Sequence, residues 1–230
     1  MPKDREAAEK LFNTAEQQQG YFTQKQALLA GYSRNASYFY AKTGEWIRAK
    51  RGIYRLAKFP LADRPDLVMW SLWSADRKGI IQGVYSHETA LSLYDLTDVN
   101  PAKIYMTVPP SFRKHNKLPP ILVLHRAKLP QSDISKFQGY WVTTPLRTIK
   151  DMLAEGNMHP HDVKIGLKQA VQQGLITPHD ADTIKFPKCK VAGKFDPEVA
   201  VNFDPPEPKS YPVWENANFG QEGGDDERQT

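Results

Sequence analysis

Residues 21–58 read YFTQKQALLAGYSRNASYFYAKTGEWIRAKRGIYRLAK, and this stretch decides the architecture expected of the rest. Thr23 suits an N-cap, because its hydroxyl can accept from the free amides of a first helical turn. Ala27, Leu28 and Ala30 supply the apolar face of a short helix, which Gly31 stops by taking a left-handed conformation at little steric cost. Ser33 can cap a second helix over residues 33–42, with Ala36, Phe39 and Tyr40 facing inward at helical spacing. Arg34, Asn35, Ser37, Tyr38 and Lys42 are left for the outward face. Two β-type runs follow, Trp46-Ile47-Arg48 and Ile53-Tyr54-Arg55-Leu56. They are joined by Ala49-Lys50-Arg51-Gly52, with Gly52 free to adopt positive φ. Helix, tight turn, helix and basic hairpin, in that order, predict a winged helix-turn-helix.

Charge sharpens this expectation. Residues 34–58 hold seven basic side chains (Arg34, Lys42, Arg48, Lys50, Arg51, Arg55 and Lys58) against the single acid Glu45, a net of +6 where the whole chain carries +5. Positive charge concentrated in one short stretch is what a phosphate-binding footprint requires. A solvated basic hairpin that binds nothing is the competing reading. The candidate contact set is Thr23, Ser33, Arg34, Asn35, Ser37, Tyr38, Lys42, Arg48, Lys50, Arg51 and Arg55. In the major groove Arg34 matches guanine and Asn35 matches adenine, by donor and acceptor pattern. Tyr38 would meet a thymine methyl or a phosphate, and Ser37 and Lys42 the backbone. The hairpin cations would hold phosphates or enter the adjacent minor groove.

Working outward, residues 3–18 place Ala7, Ala8, Leu11, Phe12 and Ala15 at helical spacing, a first helix packed beneath the helix-turn-helix and ended by Gly20. Pro60 and the LADRP segment mark a boundary. Asp66 can cap a helix to about residue 77 carrying Leu67, Trp70, Leu72 and Trp73, an aromatic stripe of the kind that fills cores. Residues 80–85 read as a short strand. Ser86-His87-Glu88-Thr89 opens another helix, with Ser86 as cap and His87 as a helix-start residue. Residues 103–108, 121–125 and 140–143 read as strands. The loop PPSFRKHNKLPP between the first two carries Arg113, Lys114, His115 and Lys117. Thr144 caps a helix with Pro145 in its first position and Ile149, Met152 and Leu153 inward. Residues 162–174 form an amphipathic helix, and Thr177-Pro178-His179-Asp180 a further helical turn. Helices and short strands mixed in this way predict an α+β domain.

From Lys194 onward nine acids face three basic residues, a net of −6, and prolines and glycines crowd in among Phe203, Tyr211, Trp214 and Phe219. This predicts an extended acidic tail. The expected organisation is a winged domain at 1–60, an α+β domain at 61–190 and the acidic tail at 191–230.

Composition sets the bounds. Of 230 residues 40% are hydrophobic, enough for real cores, while 18 prolines and a mean hydropathy of −0.59 point to some extended chain. Cys189 is the single cysteine, so no disulfide framework and no cysteine-based zinc site is expected. His159, His161 and His179 would need to meet acids such as Asp162 or Asp180 to hold a metal, and their polar surroundings argue against it. No apolar run reaches the roughly 18 residues of a bilayer span, and MPKDREAAEK is not a signal peptide, so a cytoplasmic protein is expected.

The winged segment ending in RGIYRL, followed by VYSHETALSLYDL, KIYMTVP and VTTPLRTIKDML, resembles the AbiEi antitoxins of type IV abortive-infection toxin-antitoxin systems. The resemblance covers residues 5–155 and thins beyond. It implies a winged domain that binds inverted repeats in double-stranded DNA of its own promoter and represses transcription. It further implies a second domain that counteracts a co-encoded AbiEii-type nucleotidyltransferase toxin, with or without a direct complex. Arg147 matches the family's arginine, and the residues themselves read it as a brace for a carbonyl or carboxylate. No catalytic residue, metal or cofactor is expected. The alternatives are a stand-alone winged-helix regulator with a sensory second domain, and a DNA nuclease using Asp151, Glu155 and the scattered histidines. Against the nuclease, the chain lacks an Asp followed by Glu-x-Lys on a strand, a glycine-rich phosphate loop and a nucleophile elbow.

Overall fold

The structure, a computed structural model, describes residues 2–60, 64–98, 100–114, 117–156 and 158–186. The expected acidic tail and Cys189 lie outside the described residues. The elements below fall in one compact unit, Met1–Lys188.

The amino-terminal elements are α1 (Pro2–Glu16), β1 (Tyr21–Thr23), α2 (Gln24–Ala30), α3 (Ala36–Lys42), β2 (Trp46–Lys50) and β3 (Ile53–Leu56). The strands form an antiparallel sheet in the order β1-β3-β2. Thr23 starts α2 with a capping box: its hydroxyl accepts from the Gln26 amide at 3.2 Å, and Gln26 Oε1 accepts from the Thr23 amide at 2.8 Å. Gly31, at φ 111°, ends α2, with the Tyr32 and Gly31 amides donating back to the carbonyls of Ala27 and Leu28. Leu11, Ala15, Phe22, Ala27, Ala30, Ala36, Trp46 and Tyr54 form the core under these elements. The Trp46 ring lies edge-on to Phe22 and stacked on Tyr40, with centroids 4.7 and 4.9 Å away. This arrangement fits a winged helix-turn-helix.

Two details depart from expectation. Helix α3 begins at Ala36, because residues 33–36 form a tight turn in which the Ala36 amide donates to the Ser33 carbonyl; Asn35 holds the cap position, without a side-chain cap. Its inward face is Ala36, Ser37 and Tyr40 rather than Ala36, Phe39 and Tyr40. Packing of Ala36 and Tyr40 against Trp46 leaves Phe39 roughly 100° round the helix, and it is 58% exposed.

The second half comprises α4 (Pro65–Trp73), β4 (Val84–Tyr85), α5 (His87–Leu93), β5 (Ile104–Val108), β6 (Leu122–Arg126), β7 (Ile134–Phe137), β8 (Tyr140–Thr143), α6 (Pro145–Glu155), α7 (Pro160–Gln172) and α8 (Pro178–Asp182). Its sheet runs β6-β5-β4-β8-β7, parallel between β5 and β6 and between β4 and β8, antiparallel elsewhere. The mixed α/β class is as expected. Asp66 does not cap α4. Pro65 takes the first position, where its missing N–H costs nothing, and Arg64 precedes it and pairs with Asp66 at 3.2 Å. Strand β4 is shorter than the run 80–85. Strand β7, ISKF, was not expected, since an edge strand of half-exposed residues carries no clear apolar signal.

The two motifs that carry the family resemblance are polar staples within this half. The Thr107 hydroxyl donates to buried Ser86 Oγ at 2.8 Å, and Thr89 Oγ1 accepts from the Tyr105 amide at 2.9 Å, fastening α5 to β5. Thr143 and Thr148 share a hydroxyl hydrogen bond of 2.7 Å, and Thr144 caps α6 as expected. Helices α5, α6 and α7 then close over Leu91, Leu96, Ile149, Met152, Val163, Leu167 and Ala170.

Tyr21 and Ile53 of the amino-terminal sheet belong to the same apolar cluster as Leu67, Trp70 and Tyr85. Lys25 Nζ donates to the Arg77 carbonyl at 2.8 Å, and Gln19 Nε2 to that of Gln138 at 2.9 Å. The winged part therefore shares a core and polar ties with the second half.

Candidate nucleic-acid interface

Structure sorts the eleven candidate contact residues by what holds each in place. Ser33, Arg34 and Asn35 lie exposed on the turn entering α3, and Tyr38 and Lys42 lie exposed on its outer face. Tyr38 is 74% exposed, so most of its ring is open to solvent. Arg48 and Arg51 are exposed on the hairpin, whose turn is Arg51-Gly52 with Gly52 at φ 73°. A register shift between Arg48 and Lys50 twists the tip.

Four candidates are engaged within the protein. The Thr23 hydroxyl is committed to the α2 cap. Ser37 is buried, contrary to its expected outward placement, and its Oγ accepts from Gln24 Nε2 at 3.4 Å. Arg55 lies on β3, the central strand, between Tyr21 and Ile47; its Nη1 donates to the Phe59 carbonyl at 2.7 Å. Lys50 leans off the hairpin, its Nζ 4.1 Å from the centre of the Trp70 ring. Strand pairing and a neighbouring indole thus draw in two of the cations that a linear reading left in solvent.

In the second half Arg147 bridges two carboxylates, donating from Nε to Asp151 at 2.8 Å and from Nη1 to Asp133 at 2.9 Å. It braces α6 against the segment leading into β7, the bracing role read from the sequence. Burial raises the Asp151 carboxyl above its ordinary range, and the Arg147 guanidinium opposes that rise. Nothing gathers His159, His161 and His179 into a metal-ligating group among the described residues; His159 instead accepts the His161 amide at its own helix start. Sequence reading missed a different meeting, that of His87, His125 and Glu155. His87 is buried at φ 54°, and burial holds its imidazole down to about 4.

Residues 9–57 match the model of a family described as transcriptional regulator, AbiEi antitoxin. This stretch is similar to the AbiEi regulators. The AbiEi match begins within α1 and ends just past β3, so every candidate contact residue lies inside it. The motifs around Ser86 and Thr144 lie beyond it. No curated protein matches the chain. Among solved structures, the RV2827C protein from Mycobacterium tuberculosis is similar over 76% of this chain and 73% of its own, at 12% identity and a TM-score of 0.46. Among the described residues no helix is long and apolar enough to cross a membrane.

Proposed function

We propose that this chain is an autoregulating antitoxin. Its winged segment binds double-stranded DNA at inverted repeats upstream of its own operon, and its second half counteracts a co-encoded nucleotidyltransferase-type toxin. The observation that carries the DNA-binding part is the exposed cluster of Arg34, Asn35, Tyr38, Lys42, Arg48 and Arg51, borne on a segment similar to the AbiEi regulators. Arg34 and Asn35 enter the major groove with the start of α3 and read base edges, while Lys42, Arg48 and Arg51 neutralise phosphates. The antitoxin part rests on the family description and on the motifs around Ser86 and Thr144.

The test uses the full chain, because Tyr21 and Ile53 contribute to the core beneath α4. Binding is measured by fluorescence anisotropy on the chain's own upstream region and on a shuffled duplex at moderate ionic strength. Preference for the upstream region supports the reading; equal affinity refutes its DNA half. In cells, a full-length Arg34→Ala/Arg48→Ala/Arg51→Ala variant is expected to lose repression yet still protect against the neighbouring gene's product. Failure of the wild-type chain to protect refutes the antitoxin half.

A further inference from the structure

We propose that the second half binds one divalent cation of the zinc class through His87, His125 and Glu155. These residues lie far apart in sequence, at the start of α5, on β6 and at the end of α6, yet their ligand atoms all lie within 4.8 Å of one another. The separations are informative. His87 Nε2 is 3.5 Å from Glu155 Oε2, and His125 Nε2 is 3.9 Å from Glu155 Oε1. Charge-assisted hydrogen bonds close to about 2.7–2.9 Å. Two ligands on one tetrahedral zinc, each about 2.0–2.1 Å from the metal, stand roughly 3.3 Å apart. The trio sits at the spacing of atoms that share an ion rather than a proton.

Two further observations agree. His125 Nε2 and Glu155 Oε2 are buried atoms without a hydrogen-bond partner, and buried polar atoms left so call for a reason. A cation would satisfy both at once. The backbone at His87 is also left-handed, at φ 54°, a conformation that costs a non-glycine residue and tends to persist where it places a functional side chain. That conformation sets the His87 ring against the His125 ring, centroids 3.7 Å apart and planes 18° apart, with each Nε2 near the same carboxylate; a shared ion requires one ring to turn so that the two in-plane lone pairs converge. His87 Nδ1 lies 2.9 Å from Ser86 Oγ, which Thr107 holds from the far side. An Nδ1–H donated to Ser86 leaves the Nε2 lone pair for the metal, the usual outer-shell support of a ligating histidine.

Two imidazoles and one carboxylate select a borderline transition metal over magnesium or calcium, which prefer all-oxygen sets. The side chains of His125 and Glu155 are 24% and 22% exposed and that of His87 is 7% exposed, so the cation reaches the site from the β6 and α6 side. Three protein ligands leave a fourth position for water or another donor.

The test titrates the full chain, produced without a polyhistidine tag and stripped with chelator, with Co²⁺ as a visible-absorbing probe and Zn²⁺ as a stabiliser. The expected result is one Co²⁺ per chain with the absorption of a tetrahedral or five-coordinate N/O site, and a melting temperature that rises with Zn²⁺. Glu155→Gln and His125→Gln, both at partly exposed side chains, should each weaken binding at least tenfold. A His159→Ala/His161→Ala variant should bind as wild type. No Co²⁺ uptake by the wild-type chain up to about tenfold excess over protein would overturn the site. So would unchanged binding in both the Glu155 and His125 variants, or loss of binding in the His159/His161 variant. Histidine ¹⁵N shifts on Zn²⁺ addition give a reading that needs no variant: His87 and His125 should move, and His159 and His161 should not.

Discussion

The ammonium of Lys50 rests 4.1 Å from the centre of the Trp70 ring, joining the hairpin tip to the first helix of the second half. A cation over an indole face at a partly exposed site contributes about 0.5–1 kcal/mol. Lys50→Ala should therefore lower stability by that amount, whereas Arg51→Ala, on an exposed turn, should not. Removing both should flatten the salt dependence of DNA binding by about one phosphate equivalent, not two. Denaturant melts and a salt titration of anisotropy measure the two effects; a flattening of two would show that Lys50 leaves Trp70 to bind DNA.

Tyr38, 74% exposed, contributes little to the core. Tyr38→Ala should change unfolding free energy by less than about 0.5 kcal/mol, while weakening affinity for the upstream duplex. A stability loss above that range, or unchanged affinity, would show that the outer face of α3 is not the reading surface.

On the proposed DNA-reading surface, Arg34→Ala should cost about 1–3 kcal/mol at the cognate site and relax preference at one base pair. Arg48→Ala should weaken cognate and shuffled duplexes alike. Competition binding against a set of single-base operator variants separates the two behaviours.

Arg147 holds Asp133 and Asp151 together, and Arg147→Met leaves both half-buried carboxylates uncompensated. The expected loss is about 2 kcal/mol at pH 7, below the range for fully buried pairs because both acids retain some solvent. Burial already lifts the folded Asp151 carboxyl above its unfolded value, and without Arg147 the lift grows. The folded state then binds more protons than the unfolded state, so stability falls as pH rises through that window. The deficit of the variant should be smaller at pH 4 than at pH 7. Urea unfolding at the two values decides; a deficit that grows toward acid contradicts the assignment.

Gly139, in the turn between β7 and β8, has φ 89°, and a Cβ there would lie 3.0 Å from Val68 Cγ2 and 3.2 Å from the Gln18 Cα. Gly139→Ala should cost about 1–3 kcal/mol, since strain and backbone crowding add and neither neighbour can swing away. A calorimetric melt at wild-type temperature would show that the two halves part more freely than their packing indicates.

Local chemistry made much of this protein legible in its residues alone. The Thr23 cap, the Gly31 stop, Gly52 in the hairpin turn, and Thr144-Pro145 at the head of α6 each depend on neighbours within a few positions, and each stands where the sequence places it. The likeness of residues 9–57 to the AbiEi regulators is legible for the same reason, being carried by one continuous stretch. Tertiary packing decided the rest. Which face of α3 turns inward depended on Trp46, from a strand not yet formed when the helix is read by itself. Lys50 and Arg55 lost their freedom to an indole and to a central-strand position, both set by distant segments. The meeting of His87, His125 and Glu155 had no signature at all, because strand order in the sheet, not spacing along the chain, makes them neighbours.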